Sequence, residues 1–180
     1  MSAAAVAVEH APAATVAVED APAEAAPAAP AEAPPAVEAR SGWQTWEKED
    51  VMTGLVTSFA ARESLNSHEF GFPYQGGSSA TLTLRRHPRH GEDVILSVTK
   101  GQILCSSFQR CTVMVRFDDL PPIRLRGAEP ADHDSTTLFL EPAEKFIKAA
   151  RQASKAAIEL SFYREGSRVF LFDVEGLVWK

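Results

Sequence analysis

The residues best placed to do chemistry are two cysteines, Cys105 and Cys111, the only ones in the 180-residue chain. The run before them, residues 93–105, is apolar and rich in β-branched side chains. The run after them, residues 111–119, alternates between apolar and polar side chains, which is the period of a half-buried strand. Two such runs separated by a short polar segment predict a central β-hairpin whose loop the cysteines flank.

Cysteines that face each other across a hairpin are close enough to bond, so we predict a disulfide between Cys105 and Cys111. The alternative is two reduced, half-buried thiols in a cytosolic protein. A disulfide would pre-organise the loop between them, and we expect Phe108 at its tip to contact a partner. Arg110 and Tyr74 are the further predicted binding residues. Replacing Phe108 with alanine should weaken partner binding without lowering thermal stability.

A second candidate site combines histidines and aspartates from two loops. His87 and His90 lie in one turn, and Asp132, His133 and Asp134 lie in another. Imidazole and carboxylate groups can ligate a metal, so these loops define the alternative function, a metal-dependent hydrolase. Asp and His are also common in solvated turns, and nothing in the sequence brings the loops together. We therefore predict no metal site, no cofactor and no catalytic residue.

Other enzyme signatures are missing from the sequence. No serine lies in a Gly-x-Ser-x-Gly motif, so the sequence offers no recognisable nucleophile for a hydrolase triad. Gly-rich phosphate-binding loops are absent, as is the βαβ alternation of a nucleotide-binding fold. These absences favour a protein that is not an enzyme.

The first 40 residues differ in composition from the rest. They hold 18 alanines, 6 prolines, 6 acidic residues and one basic residue, Arg40. A ten-residue repeat also occurs, with 4–13 echoed by 14–23. Frequent proline and few large apolar side chains predict a disordered Ala/Pro/Glu-rich spacer over residues 1–41. Residues 43–180 are long enough for a single β-rich domain with one core.

Charge and hydropathy narrow the partners and the location. The spacer carries −5 of the chain's net charge of −6, so the folded part is nearly neutral. We therefore do not expect the protein to bind nucleic acid. The sequence contains no run of 18 apolar residues, so we predict no transmembrane segment. The N-terminus lacks a basic region and has Glu9 early, unlike a signal peptide. The protein is then cytoplasmic, or an anchor precedes residue 1.

Short alternating runs and one helical stripe predict the fold class. We expect a mainly β, α+β fold: an antiparallel β sandwich or half-barrel with one helix at about 142–154. Residues 123–126 are predicted to be a short edge strand. Phe70 and Phe72 are predicted to cover the core from a loop.

Three stretches carry a family resemblance. Gly101, Gln102, the two cysteines and the strand up to Asp119 resemble an uncharacterised domain of proteobacterial proteins, as do residues 72–96 and 162–179. The resemblance covers about residues 43–180. Its members are small and have an N-terminal anchor or signal, which implies an envelope location, and it supplies no catalytic residues. More distantly, Phe170, Phe172, Val174, Gly176 and Leu177 resemble accessory proteins of type VI secretion.

These observations predict a non-enzymatic binding module of the bacterial cell envelope or periplasm, displayed by a flexible spacer. Its partner would be a protein or an envelope component. The sequence predicts neither the oligomeric state nor the identity of that partner. A cytosolic accessory protein with two free thiols is the remaining option.

Overall fold

A computed structural model describes residues 42–105 and 111–179 of the chain. Within these ranges the backbone forms eleven strands and one helix. In chain order they are β1 (Gln44–Glu49), β2 (Val56–Glu63), β3 (His68–Phe70), β4 (Gly76–Ser78), β5 (Ala80–His87), β6 (Gly91–Val98), β7 (Cys111–Phe117), β8 (Ile123–Ala128), β9 (Thr137–Glu141), α1 (Ala143–Ala150), β10 (Lys155–Phe162) and β11 (Gly166–Asp173).

Nine of the strands form one antiparallel sheet in the order β1-β2-β5-β6-β9-β8-β7-β10-β11, and β3 pairs with β4 separately. The sheet curls until β2 and β11 approach each other without pairing as strands. Arg62 of β2 binds Asp173 of β11 at 2.5 Å, and the Leu65 amide donates to the Leu171 carbonyl at 2.7 Å. The predicted mainly β, antiparallel fold with one helix is confirmed, and its form is an open half-barrel.

Alternation along the strands builds the core. In β10 the side chains of Ala156, Ile158, Leu160 and Phe162 are buried while their neighbours are partly or fully exposed. This period of two sends every second residue of a strand to the same face. Helix α1 contributes the buried side chains of Phe146, Ile147 and Ala150 to that core.

The helix is shorter than predicted. Pro142 lies outside it as the N-cap residue, with φ −76° and ψ 137°, and the helix ends at Ala150 rather than near 154. Five residues later, at Lys155, β10 begins, and the Asp118 carboxylate accepts hydrogen bonds from the amides of Ser154 and Lys155 at this point. These bonds hold the chain in the sheet, so the helical stripe of the sequence is cut short.

Two predictions about strand pairing are wrong. Strand β6 pairs with β5 and β9, and β7 pairs with β8 and β10, so the stretches before and after the cysteines do not form a hairpin with each other. Strand β8 lies between β7 and β9 and is therefore an interior strand, not an edge strand. Local alternation gives a strand's face but not its neighbour, which non-local packing decides.

Candidate functional site

The chain takes an unexpected path at the first cysteine. Ile103 lies opposite Phe162 at the end of β10, and the amides of Leu104 and Tyr163 donate to the carbonyls of Ser161 and Gln102 at 2.8 and 2.9 Å. Strand β7 then pairs with the same β10, where Met114 faces Glu159. Both stretches run antiparallel to β10, so they follow one strand line along it.

A disulfide joins the two stretches. Cys105 and Cys111 are bonded, with their Cα atoms 5.1 Å apart, so the predicted pair is present in the structure although the predicted hairpin is not. Gly127 of β8 faces Cys111 across the sheet. A Cβ atom at Gly127 would lie 2.6 Å from Cys111 Sγ and 2.7 Å from Cys105 Sγ. A residue without a side chain is therefore required where the disulfide packs on the sheet.

The segment before Cys105 is fixed to a neighbouring loop. Tyr74 Oη donates a hydrogen bond to Gln102 Oε1 at 3.2 Å, and its ring packs partly buried against the core. Lys100 Nζ donates to the Gln75 carbonyl at 2.8 Å. Tyr74, a predicted binding residue, thus lies next to the disulfide segment and supports it through this hydrogen bond.

Three exposed apolar side chains lie on chain segments that are hydrogen-bonded to one another near Cys105. Phe72 is 75 % exposed, Leu104 is 51 % exposed and Tyr163 is 44 % exposed. Gln102 and Leu104 face Tyr163 and Ser161 on the outer side of the sheet, because the intervening Ile103 and Phe162 point inward and are buried. We call Phe72, Leu104 and Tyr163 the loop surface.

Phe72 joins that surface through its anchored neighbours. The Gly71 amide donates to Glu165 Oε1 at 2.7 Å, and Glu165 also pairs with Arg168 at 3.2 Å. Tyr74, two residues after Phe72, is tied to Gln102. The prediction that Phe70 covers the core is correct, since it is 5 % exposed, but the prediction for Phe72 is wrong. Phe70 ends β3 and Phe72 lies in the turn that follows it, and sequence alone does not tell which ring turns inward.

Phe108 and Arg110, the other two predicted binding residues, lie outside the described residues. Leu104, Tyr163 and Gly127 were not singled out by the sequence. Leu104 belongs to an apolar run that is typical of a buried strand, so its exposure could not be predicted from the run itself. Tyr163 follows a clear strand and precedes a turn, which is the position where an aromatic side chain can reach solvent.

The histidine and aspartate loops do not meet. His87 faces Gly91 at the start of β6, whereas Ser97 near its end faces Thr137, which follows the loop with Asp132, His133 and Asp134. Six residues of strand separate the two positions, a span of about 20 Å. In residues 42–105 and 111–179, no group of three or more His, Cys, Asp or Glu side chains is placed to hold a metal ion.

Each of these loops has a local structural role. His87 and His90 pack with ring centroids 4.5 Å apart, and His87 Nδ1 accepts a hydrogen bond from the Arg89 amide. Asp134 accepts hydrogen bonds from the amide and hydroxyl of Thr136 and from the Thr137 hydroxyl, which lower the pKa of its carboxyl group. Bonds of this kind stabilise a turn.

The loop surface is thus a partly aromatic area whose neighbouring backbone and side-chain groups are hydrogen-bonded to other parts of the chain. Aromatic and apolar side chains held by a fixed backbone are suited to contact another molecule, since little ordering remains to oppose binding. Among the described residues, no helix has both the length and the apolar character to cross a membrane. No family model, no curated protein and no solved structure matches the chain.

Proposed function

We propose that the protein is a non-enzymatic binding module that works in an oxidising compartment, the bacterial cell envelope. The observation that carries the proposal is the disulfide between Cys105 and Cys111, together with the exposed side chains of Phe72, Leu104 and Tyr163 on the hydrogen-bonded segments next to it in the chain or the sheet. Disulfides persist in oxidising compartments and are rare in the cytosol, which favours the envelope. The loop surface is the contact area for a protein partner.

The supports of this surface favour binding over catalysis. Gly71, Tyr74 and Lys100 are each tied by a hydrogen bond to another part of the chain. These bonds place exposed apolar groups on fixed backbone, and they place no nucleophile beside a base. An apolar contact area of this kind gains affinity by excluding water around one or two aromatic anchors.

The contact is tested with a photo-crosslinking amino acid introduced at Phe72 or at Tyr163 of the full-length chain in its source cells. Val178, an apolar residue that is 77 % exposed and lies outside the loop surface, is the matched control position. We expect one discrete adduct from positions 72 and 163 and none from 178. Excess unlabelled wild-type protein should suppress the adduct, and a variant with both Phe72→Ser and Tyr163→Ser should not. Equal adducts from all three positions, or none, would contradict the proposal.

The compartment is tested separately through the thiol state of Cys105 and Cys111 in the source cells. Acid quenching, alkylation and intact mass distinguish the two states. We expect both cysteines to resist alkylation without prior reduction. Two alkylated thiols would place the domain in the cytosol and remove the envelope part of the proposal, whereas the crosslinking result would stand on its own.

A further inference from the structure

The nine-stranded sheet ends in two edge strands, β1 and β11, and they differ in what lies beside them. Beside β11, the Leu65 amide donates to the Leu171 carbonyl at 2.7 Å, and Asn66 Oδ1 accepts from the Leu171 amide at 2.8 Å. Strand β1 pairs with β2 alone among the described residues, and all six of its residues are exposed. An uncovered edge strand offers free N–H and C=O groups to another strand. Strand β1 is therefore the open edge of this sheet.

The hydrogen bonds of the β1–β2 hairpin determine which backbone groups of β1 point outward. At the end of the hairpin, the Asp50 amide donates to the Leu55 carbonyl at 2.9 Å. From this bonded pair, hydrogen-bonded and non-hydrogen-bonded pairs alternate along the antiparallel ladder. The even-numbered residues of β1 are therefore bonded to β2, whereas the N–H and C=O groups of its odd-numbered residues point away from β2. These outward residues are Thr45, Glu47 and Glu49.

An aromatic side chain lies in the middle of the open edge. Trp46 of β1 faces Phe59 of β2, and their rings are stacked with centroids 5.1 Å apart and an interplanar angle of 4°. Trp46 is nevertheless 44 % exposed, so this pairing leaves much of its surface in contact with water. Aromatic pairs across neighbouring strands stabilise a sheet. A strand added to this edge can therefore bury Trp46 as well as bond to the backbone.

The order of side chains in β1 suits pairing with a second copy of the same strand. In a two-fold antiparallel pair with Trp46 facing Trp46, Thr45 faces Glu47. Gln44 then faces Lys48, so no two like charges are directly opposed. Centring the pair on Glu47 or on Lys48 would place that residue opposite its own copy, and like charges in that position are destabilising. Centring it on Thr45 would shorten the paired stretch. The register centred on Trp46 is thus the most favourable.

We propose that two copies of the protein pair through β1, antiparallel and with Trp46 facing Trp46 across a two-fold axis. Thr45 of each copy exchanges backbone hydrogen bonds with Glu47 of the other, because these are residues whose N–H and C=O groups point outward. The contact is isologous, so it closes at a dimer and covers the open edge of both copies. It uses none of the loop-surface residues, so it does not depend on the proposed function.

Sedimentation velocity of the full-length protein over a range of concentrations tests the contact. We expect monomer and dimer in equilibrium and nothing larger. Glu47→Pro should lose the dimer, because it removes an outward N–H and sets the proline ring in the path of the second strand. An edge strand tolerates proline where the N–H faces solvent, so the bonds to β2 are kept. Glu47→Ala is the matched control: it loses the same bond from the Ser58 hydroxyl but keeps the N–H, so it should still dimerise.

The register is tested with introduced cysteines. In the proposed dimer Gln44 and Lys48 form a non-hydrogen-bonded pair, whose Cα atoms lie about 4.5 Å apart, within the range of a disulfide. An equal mixture of Gln44→Cys and Lys48→Cys should therefore give a covalent dimer on mild oxidation. Neither variant alone should give one, because in this register each new cysteine faces a residue of the other type.

Amide hydrogen exchange identifies what covers the edge. The amides of Thr45 and Glu47 should be protected in the dimer and lose protection on dilution, whereas those of Trp46 and Lys48 stay protected by β2. Thermal melts confirm that each variant is folded. A monomeric wild type at all concentrations, a dimer that survives Glu47→Pro, or no covalent dimer from the cysteine mixture would overturn the proposal. Protection of Thr45 and Glu47 in a monomer would assign the edge to another segment of the same chain and would overturn it as well.

Discussion

The Asn66 side chain is hydrogen-bonded to the backbone of Leu171 in β11, and it occupies the place that a neighbouring strand would take. Its Oδ1 accepts a hydrogen bond from the Leu171 amide at 2.8 Å, and its Nδ2 donates to the Val169 carbonyl at 2.9 Å. The Leu65 amide and His68 Nε2 bond to the carbonyls of Leu171 and Val169 beside it. The Asn66 side-chain amide, with Leu65 and His68 beside it, thus bonds to polar groups of an edge strand that would otherwise be open to another strand.

Replacing Asn66 with alanine should therefore leave the Leu171 amide and one bond to the Val169 carbonyl unmade. We expect a loss of about 0.5–1.5 kcal/mol in the free energy of unfolding, since these bonds are exposed to water, together with faster aggregation on partial unfolding. Urea denaturation measures the first effect and light scattering the second. Asn66→Asp is the matched control, since it can still accept from Leu171 but cannot donate to Val169, so it should fall between the two. An alanine variant as stable as the wild type would contradict this role.

The ion pair between Arg62 and Asp173 should matter more than an exposed pair. Arg62 is 8 % exposed and its Nη1 has no hydrogen-bond partner among residues 42–105 and 111–179, while Asp173 holds Nη2 at 2.5 Å. Asp173→Ala leaves a buried cation uncompensated, which is costly. Glu141→Ala, which breaks the exposed pair with Arg126, is the control and should cost about 0–1 kcal/mol. Equal denaturation midpoints for the two variants would refute the difference.

Gly127→Ala should be destabilising because of the disulfide specifically. The added Cβ would overlap both sulfur atoms, and overpacking of this kind costs about 1–3 kcal/mol. Alanine at both Cys105 and Cys111 removes the obstacle, so the glycine substitution should cost much less in that background. A double-mutant cycle from urea denaturation measures the coupling. Gly77→Ala, whose new Cβ would meet only the end of the Glu69 side chain at 3.3 Å, is the control. Additive effects would show that the disulfide is not the cause.

Two carboxyl groups should titrate below their usual range. The Thr53 hydroxyl and amide lower the pKa of Asp50, and the Thr136 amide and hydroxyl lower that of Asp134. A folded pKa below the ordinary value of 3.8 contributes stability above that pH, which is lost as pH falls through the folded pKa. Carboxyl NMR titration should show that Thr53→Val raises the pKa of Asp50 alone and that Thr136→Val raises that of Asp134 alone. Unchanged values in both variants would exclude these hydrogen bonds as the cause.

The alternation of apolar and polar residues was enough to predict the strands and their buried faces, but not which strands pair with each other. The alternation in β7, β10 and β11 predicted which side chains are buried, because burial of one face imposes a period of two. The partner of β7 depended on contacts between distant parts of the chain, and the predicted hairpin failed there. The disulfide prediction nevertheless agreed with the structure, since two stretches that lie along one strand line also bring Cys105 and Cys111 together.

The candidate site was less predictable than the fold. Tyr74 was singled out from its position in a loop, and it lies beside the disulfide segment. Phe72 and Leu104 are apolar residues in apolar surroundings, so hydropathy assigns both to the core. Their exposure follows from the path of the backbone through Gly71 and Gln102, which no local property of the sequence expresses. The predictions for Phe108 and Arg110 stay predictions.

The strand line interrupted at Cys105 and resumed at Cys111 has a consequence for how this protein can vary. Backbone bonds to β10 fix the register on both sides, and the disulfide joins the two anchor points across 5.1 Å. The number and type of residues between the cysteines therefore do not set the alignment of the sheet. Closing a longer loop costs only slightly more entropy. The position is thus suited to exchange of one recognition segment for another, in evolution or in a designed display scaffold.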